Sequence, residues 1–566
     1  MTLLATLLLL ALPAAAGQPP GKVATPAPSA FTPAEKAAAA TITPEVIRAH
    51  TRFLASDLLE GRAPSTRGDR LSLEYVAAQM EAMGLAPAAP GGGWIQKVPL
   101  VAITPKVPEA MTFAGPAGRQ ESLRYRQDFM AFPGVQKATA SIENAEVVFV
   151  GYGIVAPEYG WDDYKDVDVR GKVLLMMNND PEDDPKLFAG KTRLWYGRWD
   201  YKYEIAGRKG AAAAIIIHTT PSAGYDWNVI QTGWGGERYE LPDEGSPRTA
   251  LKAWATDNAS KKIAALGGQD LDRMRAAAQR KDFRPVPLGV TVSFAVQSAI
   301  RNVESGNALG QIRGSDPSLS KQIVIYTAHH DHFGKKEGGK PGEEVIFHGA
   351  RDNASGVAAV LAIARADTRL PRPPRRTIVF ASVTAEEQGL LGSEYLAKHP
   401  PVPARDIAAN INIDELNIWG RTRDVSMIGL GKSSLDVPIR EILAMQGRTV
   451  KADPFPDKGH FYRSDQFNFA KIGVPASYFD PGTDFIGKPA GWGEQQIDHY
   501  EKQDYHQPSD EYRDSWDLTG AIEDLRLDFY LGVRVANADA MPRWNPGDEF
   551  EGARKKAEAE GASPSK

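Results

Sequence analysis

The pattern of hydrophobic and polar residues after residue 302 alternates between short apolar runs and longer stretches with helical spacing. The runs IVIY and TIVF are too short for helices and are rich in β-branched residues, which is typical of buried parallel strands. Stretches such as SGVAAVLAIARA and GLLGSEYLAKH lie between the runs and predict helices. The alternation predicts an α/β fold, with a mostly parallel core in a mixed sheet that helices cover on both faces.

Residues 41–135 and 136–295 differ from the later part of the chain in their patterns of hydrophobic and polar residues. Residues 41–135 begin with two blocks of helical periodicity, which the loop GRAPSTRG separates and Gly84 closes. Residues 136–295 combine strands such as AIIIHTT with a helix, and their only histidine, His218, has the character of a structural residue. We therefore predict that residues 136–295 form an inserted α/β domain without catalytic chemistry, and that residues 296–546 complete the domain begun at residue 41.

The two ends of the chain differ from the rest in composition. Residues 1–16, MTLLATLLLLALPAAA, predict a cleavable secretory signal, because the run is shorter than the roughly 20 residues that a membrane anchor needs. Residues 17–40 predict a flexible leader and residues 547–566 a disordered tail. We therefore expect an exported protein, periplasmic or secreted, that has no membrane contact once the signal is removed.

Composition limits the possible partners and metal ligands. A chain of 566 residues is too long for one core and predicts two or three domains. The net charge of −5, with scattered basic residues, gives no surface for nucleic acid. Because the chain has no cysteine, it forms no disulfides and must bind any metal through histidine and carboxylate side chains. These features leave the oligomeric state undetermined.

Ligand-type side chains follow the predicted strands at the point where each strand ends. Because the carboxyl ends of parallel strands meet at one edge of a sheet, we expect these side chains to lie close together. One further carboxylate precedes the helix SGVAAVLAIARA, and a histidine follows in a turn near the end of the domain. The candidate ligands are His329, Asp352, Glu387, Asp414 and His506.

Five ligands of this kind are too many for one open catalytic zinc ion, and two zinc ions that share a carboxylate fit better. Asp352 is the natural bridge between them, because its loop and helix N-terminus approach the centre of the sheet. Asp331 can hold the second ring nitrogen of His329. Glu386 points away from its neighbour Glu387 and suits a general base, although a solvated acidic pair at a helix start is the alternative interpretation.

The segments TAHHDHFG, ARDNASGVAAVL, TAEEQGLLGSEYLA, INIDELN and YHQPSDEY, in this order and at these spacings, resemble the M28 family of di-zinc exopeptidases. This family is best known for bacterial aminopeptidases. The opening segment LASDLLEGRAPSTRGDRLSLEYVAAQMEAMGLAP is similar to that of the family, and residues 136–295 resemble the protease-associated (PA) domain that many members carry. The resemblance covers most of the chain after residue 40.

The resemblance also implies which residue fills each role. His329 and Asp414 would bind one zinc ion, Glu387 and His506 the other, and Asp352 would bridge them.

The remaining catalytic roles follow from the same resemblance. Glu386 corresponds to the general base that takes a proton from water, and Asp331 to the partner of His329. Tyr505 corresponds to a position at which some members stabilise the oxyanion. The peptide bond between Asp352 and Asn353 corresponds to one that is often cis in the family.

The expected reaction is the removal of residues from the amino end of peptides. Asp465, in YRSDQFNFAKIGVPA, is the candidate for holding the substrate α-amine, and Arg351 replaces an acid that many members carry and so bears on substrate preference. A carboxypeptidase or dipeptidase on the same fold is the alternative, in which Arg351 and Arg463 would hold a substrate carboxylate. A non-catalytic binding homologue is a further alternative, against which the intact ligand set argues.

Overall fold

The computed structural model describes residues 30–184, 187–336 and 338–562. The predicted signal, residues 1–16, and most of the predicted leader lie outside these residues. The α-helices are α1 (Pro33–Ala39), α2 (Pro44–Leu54), α3 (Arg67–Ala82), α4 (Trp199–Arg208), α5 (Thr220–Ala223), α6 (Trp227–Gly233), α7 (Asp257–Leu266), α8 (Leu271–Ala278), α9 (Ser355–Asp367), α10 (Leu391–Lys398), α11 (Asp436–Met445), α12 (Gln466–Lys471), α13 (Trp492–Gln503), α14 (Thr519–Asn537) and α15 (Glu551–Ala562).

The strands include very short segments as well as one strand of 27 residues. They are β1 (Ala86–Pro87), β2 (Ile95–Lys106), β3 (Ala110–Ala114), β4 (Gln120–Arg124), β5 (Phe129–Pro133), β6 (Thr139–Phe149), β7 (Val155–Ala156), β8 (Trp161–Asp162), β9 (Val173–Met177), β10 (Ala213–His218), β11 (Arg238–Glu240), β12 (Leu251–Thr256), β13 (Val286–Ile312), β14 (Ile323–His329), β15 (Thr377–Val383), β16 (Ile407–Asn412), β17 (Asp424–Ile428), β18 (Thr449–Ala452) and β19 (Ala476–Pro481).

The apolar runs after residue 302 form the centre of a mixed sheet, as their pattern predicts. Strands β15, β14, β16 and β19 are parallel neighbours, and β13 and β17 pair antiparallel at the two sides. Val324 and Tyr326 of β14 pack with α9 and α14, whereas Ile323 and Ile325 pack with α10 and α12 on the other face. Each such buried side chain contributes roughly 1.5–3 kcal/mol. The predicted fold class is therefore confirmed.

The strand ends meet at one edge of this sheet. β14 ends at His329, and β16 ends at Asn412, two residues before Asp414. β15 ends at Val383, shortly before Glu386. Because these three strands are parallel neighbours, their carboxyl ends bring the predicted ligands to a common place.

The inserted region forms a second α/β unit with its own apolar packing. β6, β9, β10 and β12 are parallel neighbours, and β5 closes the edge of this sheet in antiparallel orientation. The predicted start at residue 136 is too late, because Met111, Leu123 and Phe129 belong to the same core. The long strand β13 joins the units, since it pairs with β6 in its first half and with β15 at its end. The assignment of this unit as a PA-like domain stays a prediction.

Both described chain ends are more ordered than their composition predicts. Within the predicted leader, Thr32 and Glu35 form a reciprocal capping box at the start of α1, and Phe31 stacks on Tyr530 with ring centroids 3.7 Å apart. Within the predicted disordered tail, α15 carries Arg554, whose guanidinium donates to the carbonyl of Ile407 at 3.1 Å. The predictions of disorder for residues 30–40 and for the helical part of the tail are therefore wrong.

Among the described residues, no helix has both the length and the apolar character needed to cross a bilayer.

Candidate metal centre

Asp352 lies between two histidines at the carboxyl edge of the central sheet. Its Oδ1 is 3.2 Å from Nε2 of His329, and its Oδ2 is 3.4 Å from Nε2 of His506. His329 Nε2 also lies 3.3 Å from Oδ1 of Asp414, and His506 Nε2 lies 3.0 Å from Oε2 of Glu387. The two oxygens of Asp352 thus face two separate pairs, each made of one histidine and one further carboxylate.

The separations between these donor atoms suit tetrahedral metal ions. Zinc bonds to nitrogen and oxygen of about 2.0–2.1 Å place adjacent ligand atoms about 3.3 Å apart in a tetrahedron. The four contacts around Asp352 range from 3.0 to 3.4 Å. His329, Asp352 and Asp414 form one group that could hold a metal ion, and Asp352 with Glu387 belongs to a second, which includes His332. The donors present therefore fit a metal centre.

The electrostatics of the cluster also favour bound cations. Burial lowers the pKa of His506, but the carboxylates of Glu387 and Asp352 outweigh it and raise that pKa to about 9. Burial likewise opposes the charged form of His329, yet Asp414 and neighbouring carboxylates raise its pKa well above the usual value. The buried acids thus favour protonation of both imidazoles. Metal ions would supply the same compensation and release these protons.

Glu387 and Glu386 point in different directions, as predicted. Glu387 reaches His506 with one oxygen and Nδ1 of His332 with the other, at 2.5 Å. Glu386 is free of such contacts, and its Oε2 lies 3.9 Å from Nε2 of His329. Burial, together with the charges of Glu387 and Asp414, raises the pKa of Glu386 well above that of an ordinary glutamate. A raised pKa beside a metal centre suits proton transfer near neutral pH.

Asp331 holds a different group from the one expected. Its Oδ1 is 3.7 Å from Nδ1 of His329, which is beyond hydrogen-bond distance, and the backbone carbonyl of Asp331 is the nearer acceptor at 3.3 Å. The carboxylate instead accepts from the backbone N–H of Glu386 at 2.9 Å and of Glu387 at 3.3 Å. Asp331 therefore positions the segment that carries both glutamates.

Two residues that the sequence analysis missed hold the ligand loops together. The buried guanidinium of Arg62 donates to the carbonyls of His330 at 2.7 Å and Gly349 at 2.9 Å. The carboxylate of Asp510 accepts from the backbone N–H of Asp352 at 3.0 Å. Both residues lie in motifs quoted above, but only the tertiary contacts show what they do. The peptide bond between Asp352 and Asn353 is cis, as the resemblance implies.

A cavity of about 80 Å³ opens beside the centre. Asp352, Glu386 and Asp414 line it, together with Tyr505, whose ring stacks on His506 with centroids 3.8 Å apart. The hydroxyl of Tyr505 accepts from the Arg463 guanidinium at 3.2 Å. Tyr505 thus lies on the cavity wall beside His506, and its role in stabilising the oxyanion stays a prediction.

The inserted unit contributes to the wall of the same cavity, and its lack of catalytic chemistry stays a prediction. Gly224 and Tyr225 form part of the wall. His218 lies behind them, with Nε2 3.1 Å from the carbonyl oxygen of Tyr225. His218 is therefore structural, as predicted, but it supports a residue of the cavity wall.

The two predicted substrate-binding residues differ in their positions. Asp465, the candidate for holding the substrate amine, is 0 % exposed and does not line the cavity, and its role stays a prediction. Burial raises its pKa to about 7. Arg351 does line the cavity, but its Nη1 is 2.8 Å from Oε2 of Glu415 and its guanidinium lies 4.1 Å from the Tyr500 ring centroid. Its charge is therefore already compensated within the protein.

A parallel sheet with buried histidines and carboxylates at its carboxyl edge, and a further glutamate beside them, is the arrangement that metal-dependent hydrolases use. Residues 307–530 match the family model described as Peptidase family M28. The chain therefore contains a domain that matches peptidase family M28, as the resemblance of its motifs predicts.

Two proteins that match part of the chain are named as a metalloprotease and a carboxypeptidase. The chain is 32% identical over 133 residues to a probable zinc metalloprotease of Pyrenophora tritici-repentis (strain Pt-1C-BFP), covering 22% of this chain and 26% of that protein. It is 26% identical over 236 residues to the probable glutamate carboxypeptidase AMP1 of Arabidopsis thaliana, covering 37% and 31%. The matches thus span less than a third of either relative.

A solved structure matches over most of the chain. The aminopeptidase from Aneurinibacillus sp. strain AM-1 aligns with a TM-score of 0.51 and 18% identity, covering 90% of this chain and 97% of that one. At this level of identity the likeness shows a shared fold.

Proposed function

We propose that this protein is an exported di-zinc exopeptidase that removes residues from the amino end of peptides. The observation that carries the proposal is the position of Asp352, whose two oxygens face two separate His–carboxylate pairs. His329 and Asp414 would hold one zinc ion, Glu387 and His506 the other, each with one oxygen of Asp352. When bound, the zinc ions supply a Lewis acid for the scissile carbonyl and lower the pKa of water.

Glu386 is the group proposed to move the proton. Its carboxylate lies at the edge of the centre and lines the cavity, where it accepts a proton from the attacking water and returns it to the leaving amine nitrogen. The hydrogen bond from the backbone N–H of Glu386 to Asp331 fixes the segment during this transfer.

Tyr505 is proposed to stabilise the oxyanion that forms on the scissile carbonyl. Burial raises the pKa of Tyr505 well above its usual value, so the phenol stays protonated. Because its oxygen accepts from Arg463, the hydroxyl proton remains free to be donated to the oxyanion.

Asp480 is the acid proposed to hold the substrate α-amine in place of Asp465. Of the acids on the cavity wall, Glu415 is paired with Arg351 and Glu501 with a lysine. Asp480 has no contact with a basic group as short as these: its Oδ2 lies 3.9 Å from Nδ1 of His460, and Tyr478 donates a hydrogen bond to it. A cation that entered the cavity would therefore find a carboxylate at Asp480 that is only partly compensated.

Two parts of the proposal rest on other observations. Export rests on the signal-like residues 1–16. A carboxypeptidase or dipeptidase is the second candidate function, favoured by the presence of Arg463 on the cavity wall and by the similarity to the Arabidopsis relative.

Zinc titration tests the metal centre. Protein stripped of metal with a chelator should regain hydrolysis of leucine p-nitroanilide as zinc is added, and elemental mass spectrometry should find two zinc ions per chain at full activity. Full activity with one zinc ion per chain would contradict the paired centre. Activity that survives complete metal removal would contradict the metallopeptidase itself.

A further inference from the structure

A positively charged side chain that forms no ion pair within the described residues lies beside the metal centre. Arg463 lines both the cavity described above and a neighbouring cavity of about 100 Å³ that extends under the inserted unit. Within the described part of the chain, its one side-chain hydrogen bond joins Nη2 to the hydroxyl of Tyr505. A guanidinium has five N–H donors, so most donors of Arg463 have no acceptor within the described residues.

Aromatic rings hold Arg463 in place, and Glu501, an acid that acts on its charge, is itself paired with Lys458. Its guanidinium lies 5.3 Å from the ring centroid of Tyr225 and 5.8 Å from that of Tyr505. Aromatic faces at these distances attract a cation but leave its edge free for hydrogen bonds. Tyr225 belongs to the inserted unit, so this unit helps to orient the charge.

Other arginines on the two cavity walls are more fully compensated. Arg351 is paired with Glu415, and the Nε of Arg198 lies 3.3 Å from a carboxylate oxygen of Asp200. Arg238 donates to backbone carbonyls of the peptidase domain and the inserted unit, and adds a second positive charge to the smaller cavity. Arg463 is the arginine that lines both cavities and forms no ion pair within the described residues.

We propose that Arg463 binds a carboxylate of the substrate beside the scissile bond, which would make this protein selective for short or acidic peptides. The inference rests on the proposed function and adds a substrate class to it. Glu386 lines both cavities with Arg463, so a substrate placed for proton transfer passes the guanidinium. This carboxylate is either the C-terminal carboxylate of a dipeptide or the carboxylate of an acidic side chain. The paired N–H donors of an arginine can bind either one through two parallel hydrogen bonds.

Calorimetric titration of the full-length, zinc-loaded Glu386→Gln variant tests the proposal without turnover. The probes are matched pairs: Leu-Ala against Leu-Ala amide, and Leu-Glu amide against Leu-Gln amide. In at least one pair, the member with the extra carboxylate should bind about 10- to 100-fold more tightly, as expected for a charge-assisted hydrogen bond. The pair that discriminates identifies the source of the carboxylate.

Second substitutions assign the preference to Arg463. Arg463→Gln should reduce the discrimination to within about twofold, and Arg463→Lys should keep part of it, because the charge remains and the fork is lost. Arg421→Gln is the matched control, since that arginine is exposed and paired with Glu523. The absence of discrimination in every pair, or discrimination that survives Arg463→Gln, would overturn the proposal.

The role of Arg463 and the proposed peptidase reaction can be refuted separately. Turnover of leucine p-nitroanilide by the unsubstituted enzyme, with no preference for either carboxylate, would overturn the role of Arg463 and leave the peptidase intact. Carboxylate-dependent binding that Arg463→Gln abolishes, without hydrolysis of any peptide, would support the role of Arg463 and overturn the proposed reaction.

Discussion

Replacement of Asp331 by asparagine tests how the protein holds its two catalytic glutamates. Asp331 is fully buried, and its two oxygens accept from the backbone N–H groups of Glu386 and Glu387 at 2.9 and 3.3 Å. Asparagine keeps one acceptor oxygen and places an NH₂ donor where the second oxygen was. One of the two backbone N–H groups would then face another donor in a buried site.

The size of the effect follows from these two contacts. A hydrogen bond to a charged group contributes about 1.5–3 kcal/mol, and a buried donor left without a partner costs about 1–3 kcal/mol. Because the bond to Glu387 is the longer one, we expect the free energy of unfolding to fall by about 2–4 kcal/mol. A displacement of Glu386 by about 1 Å is enough to slow catalysis roughly a hundredfold.

Urea unfolding and steady-state kinetics on leucine p-nitroanilide measure both effects, with zinc content checked in each sample. Asp367→Asn is the control: Asp367 is also buried, but it lies at the far end of α9 from Asp352 and accepts no hydrogen bond within the described residues, so this variant should lose neither stability nor kcat. The reasoning is refuted if Asp331→Asn keeps its unfolding midpoint and if its kcat stays within about twofold of the unsubstituted value.

Three further substitutions test separate parts of the account. Glu386→Gln should leave zinc content intact and lower kcat by at least about 100-fold, and near-normal kcat would remove Glu386 from the base role. Asp480→Asn should raise KM for peptides with a free amine by about tenfold or more, and an unchanged KM would exclude it as the amine anchor. Burial raises the pKa of Asp367 well above its unfolded value, so its ionisation destabilises the fold as pH rises above about 4. Asp367→Asn should therefore raise Tm at pH 7–8, with a gain that shrinks toward pH 4; calorimetry showing an equal gain at both pH values would contradict this.

The central sheet and the ligand set could be predicted because local signals fix them. A strand buried on both faces needs a continuous apolar run, and IVIY and TIVF are such runs. The ligands follow where those runs stop, as at His329 and Asp414. Each strand and the ligand after it are determined by residues that are close together in the sequence, so both could be predicted without the structure.

The supporting contacts could not be predicted, because they join distant parts of the chain. Arg62 reaches a carbonyl 268 positions away, and Asp510 reaches an amide 158 positions away. Asp465 and Asp480 are both acids near the end of the domain, and only packing shows that the first is buried and the second lines the cavity. The order of residues 32–35 had a local signal, the capping box that begins at Thr32, but the surrounding Pro- and Ala-rich composition obscured it.

Mass spectrometry of mixed unblocked peptides, incubated with the zinc-loaded protein, tests the central claim most directly. The account predicts ladders that shorten from the amino end and disappear after metal removal or in Glu386→Gln. Shortening from the carboxyl end alone would preserve the metal centre but contradict the assignment of an aminopeptidase.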